Sequence, residues 1–211
     1  MCNHYRADIK KLGLDFEQYG FEEFSETKIR QRLNDFNEDV FPDRSAVVGR
    51  LEGGKLVPTS MRWGFPPLPQ KEGQPKPKII TNVRNLKSGY WRPWLKPEYR
   101  CIVPATSFAE WGMAQKRDVF FEQTDGKAFA FAGIWRPWVG QRGTKKDPVL
   151  GDHLLFSFLT TEPNAFVAPI HPKAMPVILM QQDFDTWLNA PPEEALSLQR
   201  PAPDDAFRLI A

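Results

Sequence analysis

The sequence predicts an α+β fold with a mostly antiparallel β-sheet and a few short helices. Its 211 residues fit one ordinary domain. Its 20 prolines are spread along the chain, and they disfavour long helices because each removes a backbone donor and blocks the preceding turn. Its 16 Phe and 7 Trp residues can supply an aromatic core for short strands. The hydrophobic share of 41% excludes a disordered chain.

Helices are predicted at two places. Over residues 25–36, three apolar side chains recur at i, i+4 and i+7, and Ser25 is a suitable N-cap. A short amphipathic helix is predicted over residues 182–188, where it ends before Pro191. Residues 66–78 hold five prolines and predict a long loop, which in a compact domain is usually functional or mobile.

Short strands are predicted in six segments, at residues 78–81, 99–103, 119–122, 128–135, 153–160 and 174–180. The fifth segment is apolar on both faces, which suits a strand buried from both sides. Residues 141–152 predict a polar turn between two strands. Because no internal repeat or composition shift marks a boundary, residues 1–211 are predicted to form one domain.

Composition also bounds the location and the partners. No run of about 18 apolar residues could span a membrane, and the polar N-terminus lacks the apolar segment of a signal peptide. Two cysteines do not make a disulfide framework, so a reduced cytoplasmic protein is expected. The net charge of +2 permits an anionic partner without requiring one.

Cys2 is the first candidate for chemistry. A small residue at position 2 normally allows removal of the initiator Met, which would leave an N-terminal cysteine with an α-amine pKa of about 8 and a thiol pKa of about 8.5. Such an aminothiol condenses with an aldehyde to an imine and then closes a thiazolidine ring, favoured because closure is intramolecular. This chemistry needs no cofactor. The alternative is that a cysteine is merely tolerated at this position.

Two further residues could transfer protons. His171 lies in a proline-bounded loop before an apolar segment, and a histidine pKa of about 6.5 suits proton transfer. Glu110 lies between Phe108 and Trp111, where burial would raise the carboxyl pKa towards neutrality. The alternatives are a hydrogen-bonded structural histidine and an edge-strand glutamate that points to water.

A zinc site is a weaker interpretation. It would combine Cys2, His4 and Cys101 with a distant histidine, but no C-x-x-C or H-x-x-x-H spacing supports it. His153 opens a predicted strand and is a weaker candidate than His171. No metal is therefore expected.

Residues 81–100 carry five cations against one acid, with three aromatic residues interleaved. Cations that hold phosphates and rings that stack on bases are what a single-stranded nucleic-acid groove needs. The alternative is a solvated charged face. Trp63 could add a stacking surface or belong to the core. The cations are Arg84, Lys87, Arg92, Lys96 and Arg100, and the rings are Tyr90, Trp91 and Trp94.

Several segments, in order, resemble the SRAP (SOS-response-associated peptidase) domain family. They are Met1-Cys2, MRWGF at 61–65, TNVRN at 81–85, RCIVPATSFAEW at 100–111, LTTEPNAFVAPIHPKAMPVIL at 159–179 and DFDTWL at 183–188. The resemblance covers essentially the whole chain and implies one SRAP domain with a barrel-like core. It implies a protein that shields abasic sites in single-stranded DNA by a covalent thiazolidine crosslink. Crosslink reversal and autopeptidase activity are further activities that it implies.

The resemblance also implies roles for individual residues. Cys2 would be the crosslinking nucleophile after Met1 is removed, and Asn82 would position the cysteine and the sugar. Glu110 would be the acid/base carboxyl, and His171 would help to open the sugar ring. The implied DNA-binding residues are Arg84, Arg92, Lys173, Trp63 and Trp111. A monomer acting on single-stranded DNA with abasic sites is expected.

The sequence departs from the family pattern beside the nucleophile and beside the histidine. Asn3 and His4 follow the cysteine, where the family usually has Gly-Arg. Lys173 replaces an arginine and keeps the charge without the bidentate guanidinium. DNA affinity is therefore expected to differ from the family more than the chemistry does.

Two other functions stay open. One is a thiol peptidase with Cys2 as nucleophile and His171 as base. The other is a non-catalytic protein that binds single-stranded DNA through residues 84–100. Formation of a covalent adduct with abasic DNA separates both from the crosslinking function.

Overall fold

The structure, a computed structural model, describes residues 2–68 and 78–210. In this part of the chain the α-helices are α1 (Ile9–Gln18), α2 (Glu26–Arg32), α3 (Phe184–Asn189) and α4 (Pro192–Leu196). None of these helices has the length and apolar character that a membrane-spanning helix needs.

The strands of the described residues are short near the N-terminus and longer in the second half of the chain. They are β1 (His4–Arg6), β2 (Asp39–Val40), β3 (Ser45–Glu52), β4 (Lys55–Trp63), β5 (Asn82–Val83), β6 (Arg100–Ala105), β7 (Ser107–Gly112), β8 (Arg117–Gln123), β9 (Phe129–Gly143), β10 (Pro148–Thr161), β11 (Met175–Pro176), β12 (Ile178–Leu179) and β13 (Phe207–Ile210).

Five of these strands close into a barrel. β4, β3, β6 and β9 follow one another in antiparallel pairs, and β10 closes the ring by pairing with β9 antiparallel and with β4 parallel. A second, antiparallel sheet has the order β13-β8-β7-β1-β2. The predicted α+β class with a mostly antiparallel, barrel-like sheet is therefore confirmed.

The second sheet packs on the barrel through aromatic side chains. Tyr5 in β1 is fully buried, and its ring lies 5.4 Å from the rings of Trp63 in β4 and Phe131 in β9. Phe158 in β10 stacks on Trp63 at 5.2 Å. Buried aromatic rings contribute large apolar areas. The N-terminal strand is thus fixed against the centre of the barrel.

The predicted helix at residues 25–36 is correct at its start and too long at its end. The Ser25 hydroxyl accepts from the Lys28 amide at 3.3 Å, as expected of an N-cap. The helix ends at Arg32 because tertiary contacts hold Asp35: its carboxylate accepts from the Ser45 hydroxyl at 2.6 Å. The predicted helix at residues 182–188 corresponds to α3.

Four of the six predicted strands correspond to β6, β8, β9 and β10. Each observed strand contains more residues than the predicted segment. Segment 174–180 divides at Val177 into β11 and β12, and segment 78–81 forms only an isolated bridge between Ile80 and Phe65. The predicted turn over 141–152 exists but is too long, because β9 and β10 stay paired up to Gly143 and from Pro148, and only residues 144–147 form the turn. Most of the predicted loop 66–78 lies outside the described residues.

Arg100 corrects part of the prediction for the basic segment. It is 1% exposed, and its guanidinium donates to the backbone oxygens of Trp187 and Ala190 at the C-terminal end of α3. The last carbonyls of a helix lack partners within the helix. Arg100 is therefore a structural residue that joins β6 to α3, and DNA has no access to it.

We expect Arg100→Met to lower the free energy of unfolding by about 2 to 4 kcal/mol, because it leaves buried carbonyls without a donor. The melting temperature should fall by about 5 to 15 °C, measured by thermal unfolding. Arg92→Gln, at an exposed position in the same segment, is the matched control and should leave the melting temperature unchanged. Equal melting temperatures for the two variants would contradict the structural role of Arg100.

Candidate active site

Four residues from separate segments come together at the start of β1. Cys2 precedes β1, Asn82 lies in β5, Glu110 lies in β7 and His171 lies in the loop after β10. The Asn82 amide nitrogen donates to the Cys2 backbone oxygen at 3.1 Å. The Nδ1 atom of His171 lies 3.7 Å from a carboxyl oxygen of Glu110. The predicted catalytic residues thus share one site.

Asn82 connects the N-terminal residue to the barrel. It stands in register with Phe158 of β10, and its amide nitrogen also donates to the Thr81 hydroxyl at 2.8 Å. Its Oδ1 atom is buried and has no hydrogen-bond partner among the described residues. A buried acceptor without a donor is costly. A substrate hydroxyl beside Cys2 would supply that donor.

The alternation of β7 explains why Glu110 points inwards. Phe108 and Glu110 lie on one face of the strand, and both are buried, whereas Trp111 on the other face is 52% exposed. Burial raises the pKa of the Glu110 carboxyl from 4.5 to about 7, with a smaller contribution from the charge of Asp118. The carboxyl therefore exists in both protonation states near neutral pH. The alternative of a glutamate that points to water is excluded.

His171 is held in one orientation by the backbone. Its Nδ1 atom lies 2.8 Å from the Ala174 oxygen, and because a carbonyl only accepts, Nδ1 carries the proton. The Nε2 atom then carries the lone pair of the neutral ring. Burial is the main cause that lowers the pKa of His171 below 6.5. The neutral ring, which can act as a base, is therefore favoured at neutral pH.

The Cys2 side chain is enclosed by the protein. It is fully buried, and its thiol donates to the His4 backbone oxygen at 3.4 Å. Burial raises the pKa of the Cys2 thiol well above 9.0, and the nearby charge of Glu110 raises it further. The sulfur is therefore a neutral thiol at neutral pH, and it needs a base in order to react.

The raised pKa of Glu110 predicts a pH-dependent stability. Between the ordinary pKa of 4.5 and the folded-state pKa of about 7, the folded protein binds a proton that the unfolded chain releases. The free energy of unfolding should therefore fall by about 3 kcal/mol as the pH rises through this window. Denaturant unfolding of the wild type and Glu110→Gln at a series of pH values measures it. A wild-type curve parallel to the Gln curve would contradict the raised pKa.

His4 is part of a cluster with two carboxylates. Its Nδ1 atom lies 2.7 Å from an Asp118 carboxyl oxygen, and its Nε2 atom contacts Asp39. The ring stacks on Phe41 at 4.0 Å. The cluster thus ties β1 to β2 and β8. Sequence reasoning missed both aspartates, because no spacing relates residues 39 and 118 to position 4.

An open cavity of about 350 Å³ lies beside this cluster. Its lining residues are Asn3, His4, Phe41, Ala109, Trp111 and Asp118. Another cavity of about 350 Å³ lies around Phe21 and Phe184, away from the catalytic residues. The first cavity borders Asn3 and Ala109, the chain neighbours of Cys2 and Glu110, so it is the nearer of the two to the candidate catalytic residues.

The two tryptophans predicted to contact DNA have different positions. Trp63 is fully buried, stacks within the core and donates through its indole nitrogen to the Thr81 oxygen at 3.0 Å. The prediction that Trp63 stacks beside DNA is therefore wrong. Trp111 presents about half of its surface at the mouth of the cavity.

Two of the predicted phosphate-binding cations, Arg84 and Lys173, lie on the His171 side of the site. Arg84 donates to the backbone oxygens of Thr161 and Lys173 at 2.8 and 2.9 Å, so it holds the His171 loop against β10. Its side chain is still 46% exposed. Lys173 and Arg92 are exposed. Gln199, which sequence reasoning missed, bridges the oxygens of Arg84 and Thr160.

The chain is similar to several bacterial proteins named for abasic site processing. The abasic site processing protein YoaM of Bacillus subtilis (strain 168) is 32% identical over 72% of this chain and 65% of its own length. YoqW of the same strain is 31% identical over 72% of this chain and 66% of its own length. YoqW is also an abasic site processing protein. The chain therefore covers slightly less than two thirds of these relatives.

Solved structures share the fold. A protein from Bordetella bronchiseptica has a TM-score of 0.73 at 21% identity, with 99% of this chain and 98% of that chain covered. A protein from Bacteroides thetaiotaomicron has a TM-score of 0.69 at 24% identity, with 99% and 90% covered. The family described as SOS response associated peptidase (SRAP) matches residues 1–211. The chain belongs to the SRAP family.

Proposed function

We propose that this protein processes abasic sites in single-stranded DNA by capturing the ring-opened sugar on Cys2 as a thiazolidine, after Met1 has been removed. The observation that carries the proposal is the placement of Asn82, Glu110 and His171 around a cysteine at the second position. The similarity to abasic site processing proteins supports the substrate class.

The reaction consumes one aldehyde and releases one water. The α-amine of Cys2 adds to the C1′ aldehyde, and the resulting carbinolamine loses water to become an imine. The thiol then adds to the imine carbon, and a proton moves to the ring nitrogen. Because the amine and the thiol belong to one residue, the second addition is intramolecular and strongly favoured.

Glu110 is suited to move protons in both steps. Loss of water needs an acid, and addition of the thiol needs a base. A carboxyl with a pKa of about 7 supplies either form at neutral pH. The Cys2 thiol, whose pKa burial raises, has to lose its proton to such a base. Reversal of the crosslink would use the same carboxyl in the opposite order.

His171 and Asn82 act on the sugar. An abasic site is mostly a closed hemiacetal, which opens when a base removes the C1′ hydroxyl proton and the ring oxygen gains one. The Nε2 atom of His171 is the base in this step. The buried Oδ1 atom of Asn82 accepts a hydrogen bond from the sugar or from the Cys2 amine. Trp111, Arg84, Arg92 and Lys173 contact the DNA around the lesion.

Mass spectrometry tests this function directly. The purified protein is mixed with a single strand that carries one abasic site, and the digested complex is analysed. We expect the protein to lack Met1. We also expect Cys2 to carry a deoxyribose, with a mass lower by one water than the sum of the two reactants. Retention of Met1 by the reactive protein, or attachment to another side chain, would refute the proposal. Salt-sensitive binding without an adduct would instead identify a non-catalytic DNA-binding protein.

A thiol peptidase is the second candidate, because the family description includes the word peptidase. Thiol peptidases lower the pKa of their cysteine to form a thiolate, whereas burial raises the pKa of Cys2. The structure of the site therefore favours aldehyde capture. Cleavage of an added peptide that stops in Cys2→Ala would favour the peptidase.

A further inference from the structure

The hairpin of β9 and β10 ends in an ordered turn that presents two lysines. The Thr144 amide donates to the Asp147 oxygen at 3.1 Å, and the Asp147 amide donates to the Thr144 oxygen at 3.2 Å. Lys145 and Lys146 occupy the two corner positions between them, and both are exposed. Within residues 2–68 and 78–210, neither ammonium forms an ion pair. We call residues 141–148 the hairpin tip.

The hairpin tip is anchored on Asp43. The Asp43 carboxylate accepts from the Arg142 Nε atom and from the Gly143 amide, each at 2.9 Å. The Arg142 side chain is only 3% exposed, so this contact is a buried anchor. Because Arg142 and Gly143 immediately precede the turn, the anchor fixes where the two lysines project.

Phe41 connects this anchor to the nucleophile. It lies two residues before Asp43, and its ring stacks on His4, which lies two residues after Cys2. Because each residue of chain spans at most about 3.5 Å, the hairpin tip is on the order of 20 Å from Cys2 along these contacts. A single strand of about six nucleotides spans that distance.

The other end of the hairpin meets the basic segment predicted from the sequence. The Arg136 guanidinium lies 4.4 Å from the ring centroid of Trp94, which belongs to residues 81–100. Arg136 is partly exposed. The hairpin therefore carries positive charge both at its base, beside the aromatic segment, and at its tip.

We propose that the hairpin tip is a second binding surface for the DNA strand whose abasic site reaches Cys2, with Lys145 and Lys146 bound to backbone phosphates several nucleotides from the lesion. The proposal rests on the proposed function, because it names how the same substrate is held. Unpaired ammoniums on a fixed turn suit phosphates, since each releases a condensed counterion on binding. Such contacts carry no sequence preference.

The test compares two matched double variants on abasic strands of two lengths. Lys145→Gln with Lys146→Gln removes the two charges of the hairpin tip. Lys10→Gln with Lys127→Gln also removes two exposed charges. These lysines lie near the end of β8, whereas Asp118 of the site lies at its start. The long strand has about 15 nucleotides and reaches the tip, whereas the short strand has about 3 and does not.

On the long strand, the hairpin variant should form adduct about five- to tenfold more slowly at low salt. The slope of log binding constant against log salt should become less steep by about 1.4, which corresponds to two phosphate contacts on a single strand. The control variant should match the wild type. On the short strand, all three proteins should react at similar rates.

An unchanged salt slope in the hairpin variant would overturn the proposal. An equal loss in the control variant would also overturn it, because net charge rather than position would then explain the effect. Anisotropy with an intact long strand keeps this test separate from the proposed function. If no adduct forms with any protein, the crosslinking function fails, while a smaller slope in the hairpin variant still supports the surface.

Discussion

Replacing Cys2 by alanine is expected to abolish the heat-stable adduct with abasic DNA. The variant keeps an N-terminal amine after Met1 is removed, so it can still form an imine, but it has no thiol to close the ring. Because intramolecular closure contributes effective molarities of at least about 10⁵ M, loss of the ring should lower adduct survival by more than about a thousandfold. A denaturing gel after heating measures this survival.

The chain offers a matched control in Cys101. It is the other buried cysteine, and burial raises the pKa of its thiol as well. It lies in β6, where its sulfur faces Gly133. Cys101→Ala should retain the adduct, and borohydride should trap the imine of Cys2→Ala. A heat-stable adduct of undiminished yield in Cys2→Ala would contradict the thiazolidine.

Replacing Glu110 by glutamine is expected to slow adduct formation by about 10²- to 10³-fold. Glutamine keeps the shape and some of the hydrogen bonds of the side chain, but it neither donates nor accepts a proton. In the wild type, the acid form serves the loss of water and the base form serves thiol addition. The rate should therefore have a maximum near the pKa of about 7, where both forms are present.

The shape of the pH profile separates a chemical role of Glu110 from a structural one. In Glu110→Gln the maximum near pH 7 should disappear, while a mere loss of folding would lower the rate at every pH alike. Glu17→Gln, at an exposed position in α1, is the control and should keep the wild-type profile. A pH maximum that persists in Glu110→Gln would assign the proton transfers to another group.

Local sequence signals were sufficient for several elements of the fold. Ser25 caps α2, and the apolar segment at residues 153–160 lies in β10, which is buried from Leu155 onwards. These features depend on neighbours in the chain or on side-chain alternation, which the sequence displays directly. The length of the β9–β10 hairpin was missed, because the polar residues at its tip are stabilised by Asp43, about a hundred positions away in the chain.

Some residues of the candidate site were likewise recognisable from the sequence, whereas others were not. Cys2, Glu110 and His171 were recognisable by residue type, since few side chains combine with an aldehyde or titrate near neutral pH. Trp63 and Arg100 were misassigned, because an aromatic ring or a cation looks the same in the sequence whether it is buried or exposed. Partners contributed by distant strands and by α3 decide that these two residues are internal.

The amino-acid sequence by itself determined the α+β class, the family and the kinds of reactive group that the protein carries. Only the tertiary structure decided that Glu110 is a carboxyl of pKa about 7 and that Asp43 anchors the hairpin tip. The physical reason is that a pKa depends on how much water and charge surround the group. Proximity likewise depends on strand pairing between residues that are far apart in the chain.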